Sequence, residues 1–116
     1  MTTINLDVRS PCRAVFDFYA DEKLYVVEIQ TEIGPKSLLN ESRKTWLEIC
    51  EIEKPSNRTH YKLVENIVCY TNCLRETIEK LLLKHGGISS GTNIKLVGKM
   101  KVGLIKFGGH DESTCS

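Results

Sequence analysis

The sequence predicts an α+β fold in which an antiparallel sheet of about four strands is covered on one face by two helices. Two observations support this class. The first part of the chain alternates apolar and polar residues, as half-buried strands do, whereas the middle repeats apolar residues every three or four positions, as helices do. The predicted order of elements is β-β-β-α-α-β, and the second helix is the longer of the two.

Length and composition place this fold in a single domain. The chain has 116 residues, of which 41% are hydrophobic and 27% are charged, and this suits one compact core rather than a disordered chain. We assign the domain to residues 1–107 and expect residues 108–116, which show no periodicity, to form a flexible C-terminal tail. The 16 basic residues nearly balance the 15 acidic ones, which excludes a histone-like polycation.

Three strands are predicted in the first part of the chain. The first covers residues 3–9, in which every second residue is apolar. The second and third alternate in the same way on either side of Asp21-Glu22-Lys23. We interpret this pair as an antiparallel hairpin, although its turn is not of the Asn-Gly type that most strongly indicates one.

Two interpretations stay open for residues 36–54. Ser37 is a suitable helix N-cap, and Trp46 and Cys50 fall at helical spacing, which favours a first helix. Residues 45–53 are also rich in aromatic and branched side chains, which are typical of a strand. In that alternative, a curved five-stranded sheet surrounds the long helix.

The strongest periodicity lies between Tyr61 and Lys84. Apolar residues recur there every three or four positions, and this spacing predicts a helix about 36 Å long. Gly86-Gly87 then supplies a left-handed C-cap. Residues 94–107 predict the last strand, with a bulge or bend at one of its glycines, because an unbroken strand of this length would span about 46 Å.

No motif for catalysis, cofactor binding or metal binding emerges, so we predict a chain that is not an enzyme and holds neither a cofactor nor a metal. Cys69 and Cys73 lie four residues apart on the predicted helix, but a zinc site needs two further ligands at suitable spacing. The glycine-rich segment 86–93 follows a helix and precedes a strand, which is the reverse of the order in a phosphate-binding loop.

The N-terminus and the cysteines predict a location. The first residues lack the basic and apolar regions of a secretory signal, and no apolar run is long enough to span a bilayer. Five scattered cysteines in such a chain are expected to be reduced thiols. We therefore expect a cytoplasmic or nuclear protein that is not secreted and does not contact a membrane.

Charge is unevenly distributed along the chain. Residues 80–109 contain six lysines and no acidic residue, and those on the last strand form a potential phosphate-binding stripe. If this strand lies at an edge or beside the first strand, the stripe is free; beside the third strand, Glu28 and Glu32 would pair with it. The lysines of this basic stripe are Lys95, Lys99, Lys101 and Lys106.

These observations favour a non-catalytic interaction module, an adaptor or complex subunit, that binds another protein or a second copy of itself through sheet edges or a helix surface. Tyr19 and Trp46 are the candidate partner-binding residues, because large aromatic side chains anchor interfaces. For Trp46, a place in the core of the first helix is the alternative. The alternative function is a nucleic-acid-binding accessory protein that uses the basic stripe weakly.

Overall fold

The computed structural model describes residues 2–10, 12–32, 43–53, 60–86 and 92–97. This part of the chain forms six strands, one α-helix and a short 3-10 turn, Thr71–Cys73, that precedes the helix. The elements in chain order are β1 (Thr2–Ser10), β2 (Arg13–Ala20), β3 (Lys23–Thr31), β4 (Lys44–Glu53), β5 (His60–Tyr70), α1 (Leu74–His85) and β6 (Thr92–Val97).

The six strands form one mixed sheet in the order β5-β4-β3-β2-β1-β6. Strands β1 to β5 follow one another as an antiparallel meander, whereas β6 pairs in parallel with β1. Helix α1 therefore lies in a crossover connection between the two edge strands of the sheet, β5 and β6. The predicted antiparallel sheet of about four strands with two helices is wrong, because the described residues form a mixed sheet of six strands with one short α-helix.

One face of the sheet, the inner face, forms the hydrophobic core together with α1. Leu74, Ile78, Leu81 and Leu82 of the helix are all buried and belong to the same cluster as the inward side chains of the strands. Burying an aliphatic side chain of this size contributes about 1.5–3 kcal/mol. The strands contribute Ile4, Leu6, Val8, Ala14, Phe16, Phe18, Ala20, Tyr25, Val27, Ile29, Leu47, Ile49 and Ile94. This core leaves the opposite face, the outer face, uncovered by α1.

The predicted long helix between Tyr61 and Lys84 is wrong in its first half. The chain is extended through β5, and the helix has 12 residues, which corresponds to about 18 Å. Strand β5 has one extra residue, Val64, because Leu63 pairs with Cys50 of β4 while Glu65 pairs with the preceding residue of that strand. This β-bulge interrupts the alternation of side chains, so apolar residues fall at spacings that resemble those of a helix.

The other predicted boundaries also change. The first helix expected within residues 36–54 is replaced, in its described part, by strand β4, as in the alternative with a fourth strand. That alternative still differs from the structure, because it has five strands and a long helix. The last strand, predicted at 94–107, is β6, which ends at Val97. The remainder of that prediction and the predicted tail, residues 108–116, lie outside the described residues.

The first three predicted strands and two turns are confirmed. The hairpin of β2 and β3 closes through Asp21 and Glu22, whose φ angles are 53° and 66°, the positive values that a type I′ turn requires. Gly86 ends α1 with a φ of 82°, and its N–H donates to the carbonyls of Leu82 and Leu83. This is the left-handed cap expected from the glycine pair.

Arg43 and Thr71 fasten the β5–α1 junction to the start of β4. The backbone N–H of Arg43 donates to Oγ1 of Thr71 at 3.0 Å, and the N–H of Thr71 donates to the carbonyl of Arg43 at 2.9 Å. Both residues are buried, so these bonds satisfy backbone groups that would otherwise be costly to desolvate. The junction therefore sets where α1 begins relative to the sheet.

Candidate functional site

Exposed large hydrophobic side chains gather on the outer face. Of the eight such side chains among the described residues, six lie on this face, and the other two are Val64 at the bulge and Leu83 on α1. The six are Tyr19 (71% exposed), Tyr61 (67%), Val68 (56%), Tyr70 (55%), Leu63 (52%) and Trp46 (40%). Single exposed hydrophobic residues are ordinary, whereas a group on one face indicates a binding surface.

Strand register joins two exposed tyrosines through a row of apolar side chains. Tyr19 of β2 lies opposite Leu24 of β3, and Leu24 lies opposite Ile52 of β4. Ile52 in turn lies opposite Tyr61 of β5. We call this row, together with the next row of outward-facing side chains, the tyrosine cluster; the second row contains Val26, Cys50 and Leu63. The cluster spans four strands at the end of the sheet where the β2–β3 turn lies.

A second group of apolar side chains, the tryptophan cluster, lies toward the opposite end of the same face. Trp46 of β4 pairs with Val68 of β5, and the next pair on the outer face is Lys44 with Tyr70. The apolar members of this cluster are Trp46, Val68 and Tyr70. The Nζ atom of Lys44 lies 5.8 Å from the centre of the Trp46 ring, within the range of a cation–π interaction. The alternative that placed Trp46 in the core of a helix is wrong, because Trp46 is on a strand and partly exposed.

Two carboxylates separate the clusters. Glu28 of β3 lies opposite Glu48 of β4, which lies opposite Asn66 of β5. Arg13 forms a salt bridge with Glu28, while Glu48 has no side-chain partner within the described part of the chain. We call Glu28 and Glu48 the acidic pair. They line a shallow depression together with Gln30, Trp46 and Asn66.

The acidic pair also changes the chemistry of its neighbour Cys50. The pKa of the Cys50 thiol is raised, first by burial and then by the negative charges of Glu48 and Glu28. A thiol whose pKa is raised stays protonated and is a poor nucleophile. The centre of the outer face is therefore electronegative and offers no activated cysteine.

The structure separates the two candidate partner-binding residues. Tyr19 lies in the tyrosine cluster and Trp46 in the tryptophan cluster, so both share the outer face but not a common contact. Tyr61 and Leu63 were not predicted as binding residues, because their spacing placed them on the predicted long helix. The signal that points to them is the β-branched and aromatic content of residues 60–70.

The basic stripe is described only at Lys95. This residue is exposed on β6, opposite Asn5 of β1. Strand β6 therefore lies beside β1 and away from Glu28 and Glu32, which is the arrangement that leaves the lysine free of those acids. The other three lysines, Lys99, Lys101 and Lys106, lie outside the described residues.

The cysteine pair does not form the arrangement that sequence analysis considered. Cys69 lies on β5 and Cys73 in the 3-10 turn, so they do not share a helix face. Cys12, Cys50 and Cys69 are free thiols, and burial raises the pKa of the Cys69 thiol. Across the described ranges, no three His, Cys, Asp or Glu residues converge as metal ligands.

Comparison with known proteins found no similar protein. No protein family matches the sequence, and neither a curated protein nor a solved structure matches it significantly. Helix α1, the helix that the described residues contain, is too short and too polar to span a membrane.

Proposed function

We propose that the chain is a non-catalytic protein-interaction module whose outer sheet face binds another protein. The observation that carries this proposal is the collection of six exposed large hydrophobic side chains on one face of the sheet. Keeping such a group in water is unfavourable, at about 25 cal/mol for each Å² of apolar surface. A partner that covers both clusters removes this surface from water.

The types of residue on this face suit an interface. Tyrosine and tryptophan anchor protein interfaces because they bury a large area with few rotatable bonds. Three tyrosines and Trp46, the one tryptophan of the chain, lie on the outer face. Both candidate residues from the sequence, Tyr19 and Trp46, thus belong to the proposed surface.

The same face is a poor site for a nucleic acid. Its centre holds the acidic pair, which repels phosphates, and Arg13 is already engaged with Glu28. The alternative function depends on the basic stripe, of which the described part is Lys95. We therefore propose a protein partner, and place this module in the cytoplasm or nucleus as part of the same proposal.

The proposal is tested by panning a library of random peptides displayed on phage against the immobilised full chain. We expect wild-type protein to retain peptides that the Leu63→Ser variant does not, because this substitution removes an apolar side chain from the tyrosine cluster. The matched control is Leu83→Ser on α1, where the side chain is exposed to a similar degree, 55% against 52%. This control should retain the same peptides as wild type.

Two outcomes count against the proposal. One is that no retained peptide distinguishes Leu63→Ser from Leu83→Ser, when circular dichroism shows both variants to be folded. The other is that mixed-sequence RNA or DNA oligonucleotides bind at low salt and lose binding on Lys95→Glu, which would support the nucleic-acid function instead.

A further inference from the structure

We infer that the outer face recognises a protein segment in which an arginine or lysine is flanked on both sides by apolar residues about 7 Å away. This inference rests on the proposed function and specifies the chemistry of its partner. The order of features on the face carries it: tyrosine cluster, acidic pair, tryptophan cluster.

Strand geometry fixes the spacing. Along β4, the outward side chains are Cys50, Glu48 and Trp46 in succession, and residues two apart on a strand are separated by about 7 Å. A partner segment with the same spacing places one apolar side chain on each cluster and its central side chain on Glu48. Alternate residues of an extended segment have this spacing, as do residues four apart in a helix.

The acidic pair decides the charge of the central side chain. A partner that covers both clusters also covers the carboxylates between them, and an unpaired buried carboxylate costs several kcal/mol. Arg13 neutralises Glu28, so Glu48 remains to be compensated. A cation supplied by the partner removes this penalty, and a purely apolar partner cannot.

The acidic pair also disfavours a second copy of this chain as the occupant. Packing two outer faces about a two-fold axis through their centres brings each acidic pair against the other, and like charges at an interface oppose association. Self-association through this face therefore meets a repulsion that a basic segment does not.

The surroundings of Glu48 favour arginine over lysine. The depression beside it is also lined by Trp46 and by two residues with amide side chains, Gln30 and Asn66. Amide oxygens accept hydrogen bonds, which a planar guanidinium donates in a fixed geometry. Arginine has five N–H donors for these acceptors, whereas lysine has three.

The test uses the peptides whose retention by the full chain depends on Leu63. We expect their sequences to be enriched in arginine or lysine between two apolar residues, at a spacing of two or four positions. One such peptide and its citrulline counterpart, which lacks the charge, are then titrated against the protein, with Trp46 fluorescence as the readout. We expect citrulline to weaken binding about tenfold, as loss of a charged hydrogen bond does.

Variants of the protein complete the test. Glu48→Gln should weaken the arginine peptide about tenfold and leave the citrulline peptide unchanged, which is the signature of a direct pair. Glu53→Gln, on the same strand and also exposed, is the matched control and should change neither. This inference is overturned if the Leu63-dependent peptides lack a basic residue, or if their affinity is the same for Glu48→Gln and wild type. Either result leaves the proposed function standing. If no peptide depends on Leu63, the proposed function fails first.

Discussion

Glu28 and Glu48 lie directly opposite each other on neighbouring strands at the centre of the exposed sheet face. Like charges at such cross-strand positions destabilise a sheet. Arg13 compensates Glu28, but the pair as a whole still carries an excess of negative charge. The fold therefore tolerates an unfavourable contact at the point where we propose that a basic side chain binds.

Replacing one member of this pair is expected to stabilise the free protein. Glu48→Gln removes the like-charge contact and should raise the free energy of unfolding by about 0.5 kcal/mol, measured by urea denaturation at low salt. The gain should shrink as salt is added, because exposed charges are screened. The Glu53→Gln variant serves as the control; a Glu48→Gln protein less stable than this control contradicts the account of the pair.

Glu65 links the end of α1 to β5 and makes stability depend on pH. Its carboxylate accepts a hydrogen bond from Nζ of Lys84 at 2.8 Å and lies 3.0 Å from Nε2 of His85. The hydrogen bond from Lys84 is the largest cause of a lowered pKa at Glu65, and His85 adds to it. A carboxyl group whose folded pKa is lowered stabilises the fold when it is ionised.

The Glu65→Gln variant tests this link. We expect it to be less stable than wild type by about 1 kcal/mol near neutral pH. The difference should be fully present above the ordinary glutamate pKa of about 4.3 and should disappear as the pH falls through the lowered pKa of Glu65. Urea denaturation across this pH range measures it. A difference that stays constant down to the lowest pH contradicts the assignment.

The β2–β3 turn holds a side chain in an unfavourable backbone conformation. Glu22 has a φ of 66°, a left-handed conformation that costs an ordinary residue roughly 1 kcal/mol and glycine little. Glu22→Gly should therefore stabilise the protein by up to about 1 kcal/mol. Lys23→Gly, at the start of β3, should destabilise it, because glycine weakens a strand. Thermal denaturation of both variants gives the comparison, and a loss of stability in Glu22→Gly contradicts the turn geometry.

Gly86 provides the converse case at the end of α1. A Cβ added at this position would meet Oδ2 of Asp21 at 3.7 Å and Cβ of Ala20 at 4.0 Å, which are ordinary van der Waals distances. The expected loss in Gly86→Ala, about 1 kcal/mol, thus comes from the backbone conformation alone. Gly86→Asn should lose less, because asparagine tolerates positive φ. Equal thermal stability of wild type and Gly86→Ala contradicts this explanation.

The local sequence pattern correctly predicted the first three strands and the helix cap. Strand β1 alternates cleanly, and β2 and β3 place apolar side chains at alternate, buried positions, as at Leu6 of β1 and Val27 of β3, which are 0% exposed. The cap at Gly86 also followed from residue type alone. In both cases, the tertiary structure agrees with the local preference.

The number of strands was underestimated because β4 and β5 carry apolar residues on both faces, so that their sequences do not alternate as those of half-buried strands do. Ile49 faces the core while its neighbour Cys50 faces outward, and the bulge at Val64 then shifts the alternation within β5. A pattern of apolar residues without period two resembles a helix stripe. Apolar side chains on the outer face therefore obscure the strand pattern in the sequence, and they are also the basis of the candidate site.

For the candidate site, the sequence predicted two of its residues but not their arrangement on one face of the sheet. Tyr19 and Trp46 stood out as large aromatic residues, but their common face follows from strand register, which the local pattern did not reveal. The opposition of Glu28 and Glu48 depends on the register between β3 and β4. The sequence pattern favoured a helix within residues 36–54, where β4 lies, so this register was not predicted.

The most direct test of the binding surface is an amide chemical-shift map of the full, isotope-labelled chain during titration with a Leu63-dependent peptide. We expect the largest shifts at residues of the two clusters and the acidic pair, above all Val26, Glu48 and Leu63, with small changes along α1. Shifts concentrated on α1 or on β6, with the outer face unchanged, would contradict the account.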